Sequence, residues 1–343
     1  MENTAFLKNI LTTVSKVCVL VHTHPDGDAL GSGLAMLSYL RDRLEKDASL
    51  IIPDSMPATL SFMAGKDGPV DASTCPEKAA ALISAADLLI ILDLNRLDRT
   101  EQLKPMILAS SATRILIDHH LNPETDAFNY VYSEPFRSSA CELLYFILRE
   151  FEGGNVKALP DECLRNLMTG MITDTNNFAN SVGPDTLRMA GELLSAGVDR
   201  DEILQHLYNE DRKERILAFA DMISSHTVIL PCGLSYMIMT EEMQHSYGLL
   251  EGETEGLVNI PLKISDVAMN IFLREEGGLF RVSIRSKRGW SAKMMAESLF
   301  HGGGHELAAG GKLFWPADIA ERDDAESFLK NKAARFLQKT ATH

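Results

Sequence analysis

Residues 17–33 read VCVLVHTHPDGDALGSG, in which five apolar side chains run straight into His22, His24, Asp26 and Asp28. An apolar run this short, closed by Pro, Gly and Asp, has the length and the boundary of a β-strand. Helical spacing of apolar residues follows over 30–40. The same alternation recurs through the first half of the chain. Apolar runs at 50–52, 88–92 and 114–117 are separated by segments such as 77–85 with 3.6-residue spacing, which predicts a βαβ sheet protein. Three of the runs end on polar groups: 17–21 on the segment from His22 to Asp28, 88–92 on Asp93, and 114–117 on Asp118, His119 and His120. Strand C-termini of a parallel sheet line one edge, where such folds place their ligands. These groups are therefore expected to converge.

Residues 187–223 read as mostly helical, with the charged stretch 209–215 as an exposed connector. Strand-like patterns return at 234–240, 266–273 and 279–285, the last two joined by a hairpin connection over 274–278. Helical spacing over 292–300 then leads to Gly302, Gly303, Gly304 and His305. The expected fold class is α/β: a parallel-sheet domain over 1–190, a helical linker over 191–224, and a smaller α/β domain over 225–343. A chain of 343 residues is comfortable for two domains.

Bulk properties narrow the function. No apolar run approaches the roughly 20 residues needed to cross a bilayer, so no membrane partner is expected. The N-terminus lacks a basic n-region, which reads as no secretory signal. The cysteines (Cys18, Cys75, Cys141, Cys163, Cys232) are scattered and form no CxxC pair. That pattern suits reduced thiols in a cytoplasm and disfavours a zinc-thiolate site. A net charge of −15 excludes the broad positive face that tracking a long nucleic acid requires. A phosphate-bearing substrate would be drawn in locally, by metal ions and a small basic patch, and a short substrate fits that best.

The chemistry concentrates in His22, Asp26, Asp28, Asp93, Asp118, His119, His120 and Asp174. Each piece has a plain reading. A Pro-Asp-Gly-Asp stretch is a tight turn, Asp93 and Asp174 can cap helices, and an isolated Asp-His-His has no fixed meaning. Their joint occurrence, with three members directly after strand-like runs, favours a cluster. Carboxylates and imidazoles without thiolate suit Mn²⁺, Mg²⁺ or Co²⁺, and there are enough ligands for two ions. Such a pair, about 3.5–4 Å apart, activates a water and stabilises both the attacking and the leaving oxygen of a phosphoryl transfer.

The motifs HTHPDGDALGS, LLIILDLNRLDR, RILIDHH and GMITDTNNF, in that order, resemble the DHH phosphoesterase superfamily. VSIRSKRGWSAKMMAESLFHGGGHELAAGG resembles the DHH-associated domain that follows in many members. The nearest types are nanoRNases that degrade short oligoribonucleotides and often act as pAp phosphatases. The resemblance implies that 1–190 is catalytic, that 225–343 binds substrate, and that the active site lies in the cleft between them. It implies His22 and Asp26 on a first metal, Asp93 bridging, and Asp28, His119 and Asp174 on a second, with Mn²⁺ the expected ion. Asp118 would orient the site from behind the ligands, and His120 would face the scissile phosphate; His24 takes no role.

In the second domain Arg281, Arg285, Lys287, Arg288 and Lys293 fall in a thirteen-residue stretch without an acid. Arg285, Ser286, Lys287, Gly302, Gly303, Gly304 and His305 are the expected phosphate clamp; the plain readings are a solvated basic face and a flexible glycine loop. Gly31, Ser32 and Gly33 are expected to let the first helix pack close to the sheet, its N-terminus holding an anion as the alternative. The serines of Arg137-Ser138-Ser139 are expected to cap a helix over 140–148, a role in orienting substrate being the alternative. Family analogy adds a homodimer. The alternative substrate class is cyclic-di-AMP or linear pApA, and the alternative outside catalysis is a nucleotide sensor. Against a family pyrophosphatase stands Arg285-Ser286-Lys287 beside the glycine run, where that class carries Ser-Arg-Lys. Against a RecJ-type nuclease stands the acidic charge.

Overall fold

A computed structural model describes residues 4–65 and 68–340. Their contacts divide the chain into two compact units, Met1–Glu210 and Asp211–His343.

The first unit opens with α1 (Thr4–Thr13) and builds one sheet from β1 (Lys16–Leu20), β2 (Asp47–Ile52), β3 (Val70–Asp71), β4 (Leu88–Leu92), β5 (Thr113–Asp118) and β6 (Tyr130–Ser133). The strand order is β3-β2-β1-β4-β5-β6 and every pairing is parallel. Alternation along the strands feeds two apolar layers. Val17, Val19, Ile90 and Ile115 enter one layer, while Cys18, Leu20, Ile91 and Leu116 enter the other. A sheet covered on both faces needs continuous apolar strands, which is why these runs stood out in the sequence. The chain winds outward from β1 to β3, then returns to place β4 on the other flank of β1. Beside the C-terminal ends of β1 and β4 the winding reverses, and such a switch point is where open α/β sheets bind ligands.

The helices of this unit are α2 (Gly27–Ser38), α3 (Pro76–Ala85), α4 (Lys104–Ala109), α5 (Ala140–Phe151), α6 (Asp161–Asp174), α7 (Pro184–Ala196) and α8 (Arg200–Tyr208). Every residue of α2 is buried, because sheet and helices enclose it. A Cβ on Gly33 would meet Leu50 and Val21, so that position packs against the sheet as expected. Gly31 differs: its Cβ would lie 2.7 Å from the Asn166 carbonyl oxygen and 2.9 Å from Cys141 Sγ. That glycine serves the approach of α2 to α5 and α6 rather than to the sheet.

The stretch expected as a linker, 191–224, belongs to both units. Leu193 and Ile203 lie in the core of the first unit, and the contact boundary falls between Glu210 and Asp211. From there α9 (Lys213–Ser225) places Met222 in an apolar cluster of the second unit.

The second unit holds β7 (Thr227–Ile229), β8 (Leu234–Met239), α10 (Glu241–Tyr247), β9 (Met269–Glu276), β10 (Leu279–Ser286), α11 (Ala292–Leu299), β11 (Gly303–Gly304) and β12 (Ala308–Phe314), followed by a helical run from Ala325. Its sheet has the order β11-β12-β10-β9-β8-β7, antiparallel except for the β8–β9 pair. The hairpin connection is shorter than the sequence suggested: strand pairing continues to Glu276, and only Gly277 and Gly278 turn, at φ 58° and 85°. Two successive positive φ angles are what the right-handed twist of a two-residue hairpin demands. Among the described residues no helix is long and apolar enough to cross a membrane.

Gly31→Ala should destabilise the first unit by about 1–3 kcal/mol, since backbone on the facing helix cannot move aside. Gly33→Ala should cost less, because it meets the flexible end of Leu50. Urea unfolding of both variants, with midpoints compared at unchanged slope, tests the ordering.

Candidate metal centre

β1 ends inside the buried layer, so the residues that follow it start from a fixed point. His22 is buried, and its Nδ1 lies 2.7 Å from the Thr23 carbonyl oxygen. With that nitrogen donating, Nε2 carries the lone pair and faces Asp93 Oδ2 at 3.4 Å and Asp26 Oδ1 at 3.9 Å. Asp26 is the N-cap of α2, its Oδ1 accepting from the amides of Asp28 and Ala29 at 3.0 Å. The turn-and-cap reading and the cluster reading of Pro-Asp-Gly-Asp therefore both hold. Gly27 lets the turn sit against α6, since a Cβ there would lie 2.3 Å from Thr173 Oγ1.

Asp28 points inward and is almost completely buried. Its two oxygens accept from the first two amides of α5, Ala140 N at 2.6 Å and Cys141 N at 2.9 Å. That helix start is capped by Ser139, the second of the two serines that the sequence offered. A helix N-terminus favours a carboxylate through its unpaired amides and its dipole.

Asp93 follows β4 in the left-handed region, φ 57°, so it is no helix cap. Aspartate tolerates that conformation better than most residues. Its carboxylate is central, with Oδ2 toward His22 and Oδ1 3.4 Å from His119 Nε2. His119 sets its Nδ1 3.3 Å from the Arg137 carbonyl oxygen and turns Nε2 toward Asp28 and Asp174, 3.7 Å from each. Asp174 is the last residue of α6. Asp118 is fully buried and takes both the amide (3.0 Å) and Nδ1 (2.7 Å) of His120.

The ligand atoms fall into groups within 4.8 Å: His22, Asp26 and Asp93; Asp28, His119 and Asp174; and Asp93, Asp118 and His120. His22 Nε2 and Asp93 Oδ1 are buried without a hydrogen-bond partner among the described residues. Imidazole lone pairs directed at carboxylate oxygens across 3.4–3.9 Å repel unless a cation lies between them. The donors are oxygen and imidazole nitrogen, which suits divalent ions of the Mn²⁺, Mg²⁺ and Zn²⁺ range. The residues fit a two-ion centre, joined through Asp93.

In the metal-free protein, protons take up the strain. Burial first, and then the Asp93 charge, push the Asp28 carboxyl up to about 7 despite the two amides. Burial and the charge of Asp28 push Asp174 up as well. Burial alone would raise Asp93, yet the imidazoles of His119 and His22 hold it well below the usual range. Burial opposes charge on His119, but Asp93, Asp174 and Asp28 outweigh it and raise that imidazole. At His22 burial and Arg99 press downward, and Asp93 and Asp26 prevail, again raising it.

Two supports went unread in the sequence. Asp54, just after β2, accepts from the His24 amide at 2.8 Å and from the Thr23 hydroxyl, and its Oδ2 stands 3.0 Å from His24 Nδ1. It anchors the segment that carries His22. The signal was present, since the run at 50–52 is one more strand ending on the same edge. Arg99 lies against His120 and the Asp93 backbone; a cation six residues beyond Asp93 was its trace.

In the second unit, register brings Arg285 opposite Ala308 and Gly304 opposite Ala309, so Arg285, the glycines and the His305 turn share one end of the sheet. The glycines are not a flexible loop. A Cβ on Gly302 would stand 1.9 Å from the Gly310 carbonyl oxygen, and Gly303–Gly304 is the edge strand β11. Arg285 Nη1 donates to the Ile284 carbonyl at 3.0 Å. Two expected clamp residues are engaged with their own chain. Ser286 donates to the Trp290 carbonyl at 2.6 Å, and Lys287 to the carbonyls of Ile264 (2.7 Å) and Ser265 (3.1 Å). They tie down the turn after β10, whose carbonyls need donors. Arg281 pairs with Glu276 at 2.9 Å, which is a hairpin contact.

A carboxylate–imidazole centre grouped for two cations, set at the switch point of a parallel sheet, marks a metal-dependent α/β protein. The chain belongs to the DHH family: residues 16–171 match the model described as "DHH family, N-terminal domain". Its structure is similar to the crystal structure of an exopolyphosphatase-related protein from Bacteroides fragilis, with a TM-score of 0.88 and 30% identity, covering 98% of this chain and 97% of that one. It is 28% identical over 300 residues to the bifunctional oligoribonuclease and PAP phosphatase NrnA of Thermus thermophilus, covering 87% of this chain and 84% of that protein. It is 27% identical over 320 residues to the cyclic-di-AMP phosphodiesterase GdpP of Geobacillus thermodenitrificans, spanning 90% of this chain but 46% of that one. DHH phosphoesterases are metal-dependent, in keeping with this cluster.

The raised groups set a pH dependence. A carboxyl that rises from 3.8 to about 7 on folding keeps its proton in the folded state through that window. Folding then binds protons, and stability falls as pH rises. Asp174 and the raised imidazoles act in the same direction. Asp93 adds nothing there, being ionised in both states. The metal-free protein should lose melting temperature between pH 5 and 8, and added Mn²⁺ should stabilise it most at the alkaline end, releasing protons on binding. Thermal melts with and without chelator across that range read both effects; a metal-free melting temperature that rises with pH would contradict the assignment.

Proposed function

We propose that this chain is a metal-dependent phosphoesterase that hydrolyses short oligoribonucleotides and pAp (3′-phosphoadenosine-5′-phosphate). The observation that carries the reading is the pair of ligand groups joined by Asp93, with buried lone pairs that no proton donor meets. The likeness to the Thermus thermophilus NrnA over most of both chains supports the substrate class, as does a net charge of −15, which disfavours long polyanions.

His22, Asp26 and Asp93 would hold one divalent ion, and Asp28, His119 and Asp174 the other, with Asp93 shared; Mn²⁺ is the proposed resident, and Mg²⁺ or Co²⁺ would serve. When bound, two such ions lower the pKa of water and offset charge on the attacking and leaving oxygens. The protein does the rest by orientation. The Thr23 and Arg137 carbonyls fix which nitrogen of His22 and His119 faces inward. The α5 amides keep Asp28 from rotating, and Asp118 fixes His120 through both amide and ring. Water is excluded from one side of the cluster by the apolar layers beneath it.

The region up to residue 190 is proposed as the catalytic domain and the region from 225 as substrate-binding. Arg285, Gly303, Gly304 and His305 are the proposed phosphate contacts, with Ser286 and Lys287 holding the turn beside them. The proposed compartment is the cytoplasm. Cyclic-di-AMP hydrolysis is the second reading, favoured by the similarity to GdpP.

Asp93→Ala and His119→Ala should each lower turnover at least about 10³-fold by disrupting a two-ion clamp, while circular dichroism stays native. Ion-exchange analysis of products from pAp, a di- to pentanucleotide RNA series, pApA and cyclic-di-AMP in Mn²⁺ tests the substrate. Mononucleotides from RNA and phosphate from pAp are expected. Fast cyclic-di-AMP cleavage with little action on RNA would select the second reading.

A further inference from the structure

Arg99 lies in the turn after β4, six residues beyond Asp93. Leu94 and Leu97 are fully buried and pin this turn to the sheet. The Arg99 carbonyl accepts from the Thr23 amide at 2.7 Å, which ties it to the segment carrying His22. Its half-buried guanidinium reaches back over the cluster, where Nη1 donates to the Asp93 carbonyl oxygen at 3.3 Å and lies 3.2 Å from His120 Nε2. With Asp118 on His120 Nδ1, that Nε2 is the accepting nitrogen.

The surroundings make this guanidinium unusual. Asp26, Asp28, Asp93, Asp118 and Asp174 all stand at the cluster, and an arginine ordinarily closes on a carboxylate, whose two oxygens match its fork. Arg99 forms no ion pair with a described carboxylate. Asp93 offers it a backbone carbonyl instead of its side chain, and His120 offers a ring nitrogen. Both bonds use Nη1, and neither Nε nor Nη2 donates to a described residue. The cation is braced beside the cluster and kept off its acids.

Charge balance says what such a group is for. With Asp118, the carboxylates outnumber the charge of two divalent ions by one, and an incoming phosphate ester adds more negative charge. Arg99, which reaches the Asp93 carbonyl and His120, is a cation placed to offset it. We infer that Arg99 is a phosphate-binding residue of this centre, its guanidinium receiving a non-bridging oxygen of the phosphoryl group on which the cluster acts. The inference rests on the phosphoesterase reading and gives that site its anion-recognising side chain. The Asp93 carbonyl and His120 hold the fork in place, so substrate binding does not have to order it.

The test is direct binding of inorganic phosphate to the Mn²⁺-loaded protein by titration calorimetry, with bound Mn²⁺ measured in parallel, for wild type, Arg99→Gln and Arg99→Lys. Arg99→Gln should keep its Mn²⁺ and weaken phosphate binding about tenfold to a hundredfold, the range for a charge-assisted hydrogen bond; Arg99→Lys should recover part of the loss. Equal phosphate affinity in wild type and Arg99→Gln, including none in either, overturns the inference. So does loss of Mn²⁺ along with phosphate in Arg99→Gln, which would make Arg99 a brace of the turn. If phosphate binding depends on Arg99 but wild type cleaves no nucleotide of the panel, the phosphate site stands and the oligoribonuclease reading falls.

Discussion

Carboxylates that share a buried site repel one another, and the first unit of this protein is arranged around that repulsion. Asp28, Asp93 and Asp118 are nearly or fully buried, and Asp174 closes the same group from the end of α6. Few arrangements tolerate so much negative charge in so little water. Each acid has a separate answer: Asp28 takes two helix amides, Asp118 takes both polar groups of His120, and Asp26 caps its own helix. Asp93 is the exception. Its Oδ1 is left without a donor among the described residues, with His119 Nε2 at 3.4 Å and His120 Nδ1 at 3.6 Å, while Oδ2 faces His22. A cation at that point would complete the centre, so the electrostatics favour a metal there before any family is named.

The scaffold exists to hold this frustration still. The sheet delivers three polar segments from β1, β4 and β5 to one edge, and the switch of winding between β1 and β4 opens the space they share. Helix α2 carries Asp26 and Asp28 into that space, and its glycines let it press against the sheet on one side and α6 on the other. Asp174 then arrives on α6, and the capped start of α5 delivers amides to Asp28. A side chain at Gly27 or Gly31 would push these helices apart and separate donors that must stay within a few ångströms.

Much of this was legible in the chain itself. Apolar runs at 17–21, 88–92 and 114–117 announced buried parallel strands because a two-sided sheet leaves no room for polar residues, and the acids behind them marked the edge. Other elements were hidden for physical reasons. β6 is half exposed, and β12, with the sequence AAGGKLF, has little strand propensity of its own and is drawn into the sheet by its neighbours β10 and β11. The linker expected at 191–224 is split because helical periodicity does not say which core a helix joins. Ser286 and Lys287 were read as phosphate contacts because residue type is visible in a sequence, whereas carbonyls in need of a donor are not. Asp54 and Arg99 act on residues far from them in the chain, and single-sequence patterns carry no such pairing.

The proposed ligands come from four separate places, spread from His22 to Asp174, and no short segment contains more than half of them. A zinc finger gathers its metal with neighbouring residues, and the ion can organise the chain. Here β1, β4 and β5 must be paired and α6 docked before the donors meet. Ion binding at the proposed centre would therefore belong to the finished domain and could not guide its early folding. For the proposed centre this layout dictates polypeptide first and metal last, so that a newly made molecule would pass through a folded, acid-rich, metal-free stage.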